Sequence, residues 1–162
     1  MKRLILITML LAALSGAAFA SPCVDVLAEQ SDIVNNAGLY ASVMIAQGVL
    51  ETGHCTSGAV QYNNYWGIKC RGGSCFMKDT WEIYAGQYWQ GPLMFQAFDS
   101  ARDGVSAYAY KINYNPIYAD VDTSSLPVYV ATLSRHWATD PKYAGKVLKI
   151  IQDYNLQQYD VR

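Results

Sequence analysis

The sequence predicts an α+β, mainly helical domain with one small β-hairpin lobe set between its helices. Three observations predict it. Apolar residues recur at three- and four-residue steps over much of the chain. A single stretch, Phe76 to Phe98, is instead dense in aromatic and β-favouring residues. No repeat, low-complexity tract or Pro/Ser linker divides the rest.

The first twenty residues read as a cleaved leader rather than as structure. Lys2 and Arg3 give a positive start, Leu4 to Leu14 an uncharged run, and Ala18-Phe19-Ala20 an A-x-A cleavage pattern. The run is short of the roughly 18–20 apolar residues a membrane span needs, and Pro22 stands where a lipid-anchored Cys23 would need a small residue before it. Export is the expectation, to the periplasm or beyond, with no membrane anchor after cleavage. Removing 20 residues from 162 leaves 142, residues 21–162, enough for one domain with one core.

Within that domain Val24, Leu27 and Ala28 mark a first helix ending near Asn35-Asn36. Leu39, Val43, Ala46 and Leu50 form the buried face of a second, with Gly53 as its C-terminal cap. Residues 56–75 are rich in Gly and Asn and read as loop. Phe76–Tyr84 against Gln87–Phe95 reads as the hairpin, turning at Ala85-Gly86. Ser100 with Asp103 resembles a capping box opening a helix that carries Val105, Tyr108, Ala109 and Ile112 inward, and Asn115-Pro116 ends it. Ser125 is placed to cap a helix through Leu126, Val130 and Leu133. Asp140-Pro141 signals the last helix, packing Ala144, Val147, Leu148 and Ile151 and closing near Asn155. The expected total is four to five helices.

Composition narrows the partners. Losing Lys2 and Arg3 takes the formal net charge from −1 to −3, so the electrostatic footprint for nucleic acid is missing. No polybasic segment is present to hold an anionic wall or membrane. A glycan partner would therefore need a shaped groove, which the 13 Tyr and 4 Trp can help to line. All four cysteines lie after the leader, and an even count in an exported chain reads as two disulfides. Cys70 and Cys75 bracket the flexible Arg71-Gly72-Gly73-Ser74 loop, leaving Cys23 with Cys55. No C-x₂-C pair or clustered histidine supports a metal site, and no cofactor is expected; a monomer is the expected state.

Glu51 stands out on physical grounds. It ends the second helix, where unpaired carbonyls disfavour a carboxylate, and it adjoins an apolar stripe, with Gln47 and Met44 one and two turns behind at the edge of the buried face. Field and partial burial both raise a carboxyl pKa, and a carboxyl kept neutral can act as a general acid. An ordinary exposed glutamate in a last helical turn is the alternative.

Five segments bear on that choice: Ala46-Gln47-Gly48-Val49-Leu50-Glu51-Thr52-Gly53, Asn63-Asn64-Tyr65-Trp66-Gly67-Ile68-Lys69, Thr80-Trp81-Glu82, Phe98-Asp99-Ser100 and Trp137-Ala138-Thr139-Asp140-Pro141-Lys142-Tyr143-Ala144. In this order they resemble the motifs of the bacterial N-acetylglucosaminidases, glycoside hydrolase family 73, over about Val43 to Tyr159. The resemblance implies a lysozyme-like helical fold with a glycan groove between the helical body and the β-lobe. It implies a peptidoglycan hydrolase, an endo-β-N-acetylglucosaminidase, with Glu51 as catalytic acid and Glu82 as second carboxylate. A muramidase or lytic transglycosylase on the same fold, or a catalytically impaired glycan-binding domain, are the rivals.

A lobe carboxylate is the usual partner of a glycosidase acid, although an acetamido oxygen of the substrate can take its place. Asp79 is three residues from Glu82 and faces the other side of a strand, so only one of them enters the groove. Gln47, Asn63, Asn64, Trp66, Trp137 and Tyr143 are candidate substrate-binding residues; for the asparagines and Trp66 the alternative is a loop tied by Asn side chains around a buried indole. Two departures from the family pattern matter. Trp137 replaces a tyrosine and loses the phenolic hydroxyl while keeping an N–H donor, and Gln96-Ala97-Phe98 stands where the family has Phe-Arg. The hairpin is too small to be stable alone, so it is expected to move as a wall of the groove.

Overall fold

A computed structural model describes residues 21–161 apart from the hairpin tip at 85 and 86, and only the backbone at 81–84. The leader and the Ala85-Gly86 turn lie outside the described residues. Among the described residues six α-helices run in the order α1 (Pro22–Ala28), α2 (Ser31–Asn36), α3 (Ala41–Glu51), α4 (Ala101–Tyr114), α5 (Leu126–Trp137) and α6 (Tyr143–Asp153). An antiparallel pair, β1 (Cys75–Tyr84) with β2 (Gln87–Gln96), falls between α3 and α4. The first expected helix is two short ones, because the chain bends at Glu29-Gln30. A 3-10 turn, Gly58–Tyr62, interrupts the stretch read as loop.

Helix α3 is the centre of the domain rather than an amphipathic surface helix. Every residue from Ala41 to Val49 is buried, and α1, α2, α6 and the last 3-10 turn, Leu156–Tyr159, all pack against it. Gly48 lets α1 and the Trp66 indole come close to α3: a Cβ there would stand 2.7 Å from Leu27 Cδ1 and 3.4 Å from Trp66 Nε1. The helix ends as predicted in a left-handed turn, with Gly53 at φ 55°, but His54 and Cys55 also adopt positive φ.

The other helices follow their signals with local differences. Ser100 accepts from Asp103 N–H and opens α4, whose Val105, Tyr108, Ala109 and Ile112 face the core. Gly104 lets α4 approach the Asn63 carbonyl, since a Cβ would lie 2.3 Å from that oxygen. Ser125 sits at the N-cap of α5 without a side-chain capping bond. Asp140 binds the Lys142 N–H at 2.8 Å, one turn ahead of α6, so the helix starts two residues after Pro141. On α6 Ile150 rather than Leu148 points inward: Leu148 is 38% exposed and Ile150 6%. Among the described residues no helix is long and apolar enough to cross a membrane.

Both expected disulfides are present. Cys23–Cys55 joins α1 to the segment just past α3, and Cys70–Cys75 closes the loop leading into β1, each with Cα atoms 5.8 Å apart. The hairpin root packs a small apolar cluster of Ala59, Phe76 and Phe95, with Tyr62 stacked on Phe76 at 4.1 Å. Gln96 secures the same root: its side-chain amide donates to Gly72 and Ser74 carbonyls and accepts from Arg71 N–H.

Candidate active site

A groove of about 730 Å³ runs between the helical body and the hairpin. Glu51, Trp137 and Tyr143 border it from the body, and Lys78 and Thr80 from β1. Glu51 reaches it because α3 ends there. The last turn carries its side chain out of the core, so the residue is exposed rather than partly buried as the apolar stripe implied.

One oxygen of Glu51 is fixed twice. Oε1 accepts the Tyr143 hydroxyl at 2.6 Å and the Trp137 indole N–H at 3.1 Å. Oε2 has no hydrogen bond among the described residues. Behind Tyr143 the bonding continues into the core. The Gln47 amide donates to the Tyr143 hydroxyl at 3.2 Å, and the Tyr108 hydroxyl donates to Gln47 Oε1 at 2.6 Å. Each member satisfies the next, and such chains strengthen one another in a dry interior.

Burial is the first cause that lifts the Tyr143 pKa far above the usual tyrosine value, and the charge of Glu51 and its hydrogen bond add to it. Tyr143 therefore stays a donor throughout the working pH range. Burial, with Tyr129 and Tyr143 nearby, likewise raises Tyr108. Tyr118, whose ring lies 6.2 Å from that of Trp137, is pushed by burial to about 12.

The sequence-predicted site residues divide into those at the groove and those behind it. Gln47 is 1% exposed and does not line the groove, so it holds Tyr143 instead of meeting a ligand. Asn63 turns the chain at φ 54°, donates to the Phe98 carbonyl, and is also absent from the groove wall. Asn64 reaches the groove's edge but is 1% exposed; its amide clamps Ile68 and Gln96. Trp66 also borders the groove but is 2% exposed, donates to the Met44 carbonyl and packs on Tyr108 at 4.9 Å. These four brace the site. Asp79 is exposed and stands off the groove wall. Glu82 lies opposite Trp89 in the ladder, with the strand parity of Phe76, Lys78 and Thr80; its side chain lies outside the described residues.

Sequence reading missed two contributors. Tyr108 registered only as a core face of α4, and Lys111, one turn on, did not register at all. Lys111 Nζ lies 4.1 Å from the Trp137 ring centroid, a cation–π contact beside Glu51. A glutamine on a helix otherwise so apolar was the available signal, because a buried amide requires partners.

The Glucosaminidase family, described as mannosyl-glycoprotein endo-beta-N-acetylglucosaminidase, matches residues 29–156. The chain belongs to this glucosaminidase family. It is 33% identical to an autolysin of Enterococcus faecalis over 85% of its own length and 20% of that protein's. It is 31% identical to a probable N-acetylmuramidase of Lactococcus lactis subsp. lactis over 84% of the chain and 34% of the relative. The chain thus spans about a fifth to a third of these curated relatives. It matches solved catalytic domains far more fully. The catalytic domain of the autolysin Auto from Listeria monocytogenes superposes with a TM-score of 0.74 at 28% identity, covering 86% of each chain. A peptidoglycan hydrolase mutant from Sphingomonas sp. A1 gives 0.74 at 28% identity, covering 86% of this chain and 97% of the other. The glucosaminidase fold, helical with a two-stranded lobe, is the one the motifs implied.

Proposed function

We propose that this glucosaminidase-family chain hydrolyses the β-1,4-linked glycan strands of peptidoglycan on the N-acetylglucosamine side, with Glu51 as general acid. The observation that carries the reading is the asymmetric Glu51 carboxyl. With Oε1 occupied by two donors, Oε2 carries the acidic proton and meets the glycosidic oxygen in the groove. As that proton leaves, the carboxyl becomes a carboxylate, and the bonds from Tyr143 and Trp137 become charge-assisted. They stabilise the transition state more than the ground state, which is the condition for accelerating the step. Trp137 supplies this bond in place of the family tyrosine.

Glu82 is the second carboxylate in this reading, as water activator or nucleophile. Its place on β1, in strand parity with Lys78 and Thr80, supports the assignment, and the exposed position of Asp79 off the groove wall argues against that residue. The hairpin closes over bound glycan and brings Glu82 toward Glu51. No cofactor takes part. Residues 1–20 direct export and are cleaved from the catalytic domain; two disulfides suit an oxidising compartment, and relatives named as autolysins suit an extracellular setting.

A muramidase is the second reading, favoured by the N-acetylmuramidase names of the Lactococcus lactis relatives. Digestion of purified sacculi, reduction of new ends and mass spectrometry separate the two. Reduced N-acetylglucosamine ends are expected. Reduced muramic acid ends would establish the second reading, and no released fragments would overturn both.

A further inference from the structure

The groove gathers positive charge that the chain as a whole lacks. The formal net charge is −1, yet Lys69, Lys78, Lys111 and Lys146 border the groove against the described carboxylates Glu51 and Asp140. Lys146 is neutralised by Asp140 at 2.7 Å. Lys78 and Lys111 are placed differently. Among the described residues neither has a carboxylate at salt-bridge distance, whereas Arg102, Arg135 and Lys149 outside the groove stand against Asp32, Asp120 and Asp153. Lys78 Nζ instead donates to the Ser57 hydroxyl at 3.0 Å, held from the hairpin side. Lys111 Nζ sits on the body side, over Trp137 and 5.9 Å from the Tyr118 ring centroid.

Lys111 is half-buried, and an ammonium in that position costs free energy when no counter-ion bonds it. Burial lowers its pKa, the charge of Glu51 works the other way, and Arg71 and Lys69 add to the lowering. An incoming anion would supply what the site lacks. The two ammonium groups flank the groove from separate elements, so a ligand lying along it passes both.

We infer that Lys78 and Lys111 recognise carboxylates carried on the O3 substituents of the sugars. The groove thereby prefers an acidic, lactyl- or peptide-substituted β-1,4 glucosamine polymer to the neutral homopolymer. The inference rests on the peptidoglycan reading above and names the feature of that substrate the groove selects. On bare strands the lactyl carboxyl at O3 is free. On stem-bearing strands it is amidated, and the stem supplies its own carboxylates. Both present the same chemistry to a lysine.

The test measures binding by titration calorimetry in a Glu51→Gln background, with and without Lys78→Met and Lys111→Met. The ligands are peptide-stripped strands, stem-bearing strands and a neutral chitin oligosaccharide. Each lysine substitution is expected to weaken binding of acidic strands roughly tenfold, the effect of one charge-assisted bond. It should change chitin binding by about twofold at most, the size of an ordinary surface contact. Lys→Arg at the same positions should restore the acidic strands, and salt should weaken them selectively. Loss confined to peptide-stripped strands identifies the lactyl carboxylate as the group read; loss confined to stem-bearing strands identifies the stem. Equal change on neutral and acidic ligands, no change on either, or no binding of acidic strands overturns the inference. Binding needs no turnover, so an active protein that ignores charge sinks this inference alone. An inactive protein that binds acidic strands through these lysines sinks only the hydrolase reading.

Discussion

The helical body and the hairpin border the same groove, yet they hold their side chains by different means. In the body, Glu51 is the outer end of a bonded chain that begins at Tyr108 and runs through Gln47 and Tyr143, all three of them buried. Among the described residues of the hairpin, the buried ones are Phe76 and Phe95 at its root, and Met77, Tyr88 and Met94 are exposed at 68%, 65% and 49%. Glu51 is therefore positioned by the core. What the hairpin contributes is positioned by a two-stranded ladder tied at its root by one apolar cluster, the Gln96 bonds and the Cys70–Cys75 bridge, and a ladder of two strands is marginal without such support. On the proposed reading the body fixes the reacting group, and the lobe is left to adapt the wall around the ligand.

The disulfides offer the largest way to break this contrast. Cys23–Cys55 closes a separation of 32 residues in the body and Cys70–Cys75 one of 5 at the hairpin root. Chain entropy assigns roughly 4 kcal/mol to the first and roughly 2 kcal/mol to the second. Paired Cys→Ala substitutions should lower the denaturant midpoint in that order. The reverse order would mean that the hairpin root, not the body, limits stability.

Tyr143→Phe keeps the ring and removes the hydroxyl that joins Gln47 to Glu51. Turnover on sacculi should fall roughly 10²-fold, as for loss of one preorganised donor. Gln47→Leu should act through the same bond and cost about 1–3 kcal/mol of stability, since it takes the acceptor from the buried Tyr108 hydroxyl and leaves Tyr143 with its bond to Glu51 alone. If Gln47→Leu leaves both turnover and thermal midpoint unchanged, the chain of bonds is not what holds the acid.

On the lobe, Glu82→Gln should lower turnover at least roughly tenfold, less than the roughly 10²–10⁴-fold of a full general acid or base. Asp79→Asn should matter little. If Asp79→Asn proves more damaging, the facing of β1 is wrong; if neither matters, the substrate's acetamido group does the work.

The smallest effect concerns alkaline pH. Tyr143, Tyr108 and Tyr118 hold their protons more tightly in the folded chain than the usual value of 10.0. The unfolded chain then releases protons first, so stability is full below about pH 10 and declines as pH rises through the folded values. A scan of thermal midpoint against pH should show this fall, shallower in Tyr143→Phe.

Much of the site was legible because local signals and motifs agreed. The capping serine at Ser100, the left-handed Gly53 and the cysteine pairing each rest on a few residues close in sequence or on simple arithmetic. What misled was period. The Leu39–Leu50 spacing implied one buried face, but α3 is surrounded, so Gln47 and Met44 lie fully inside it rather than at an edge. The same blind spot assigned Gln47 and Asn63 to ligand contact. A polar residue in a motif can serve a neighbour as easily as a substrate, and only packing tells which. Lys78 and Lys111 are 33 positions apart and belong to no motif, so their meeting at one groove depends on the fold alone.

The central claim is that Glu51 is the proton donor, and the most direct measurement is turnover of purified sacculi by Glu51→Gln beside the unsubstituted protein. The amide preserves shape and can still accept from Tyr143 and Trp137, but it has no acidic proton to give. Turnover should fall about 10²–10⁴-fold while thermal midpoint and glycan binding stay close to those of the parent. Residual activity above about one-tenth of the parent, far more than loss of a general acid allows, would contradict the account.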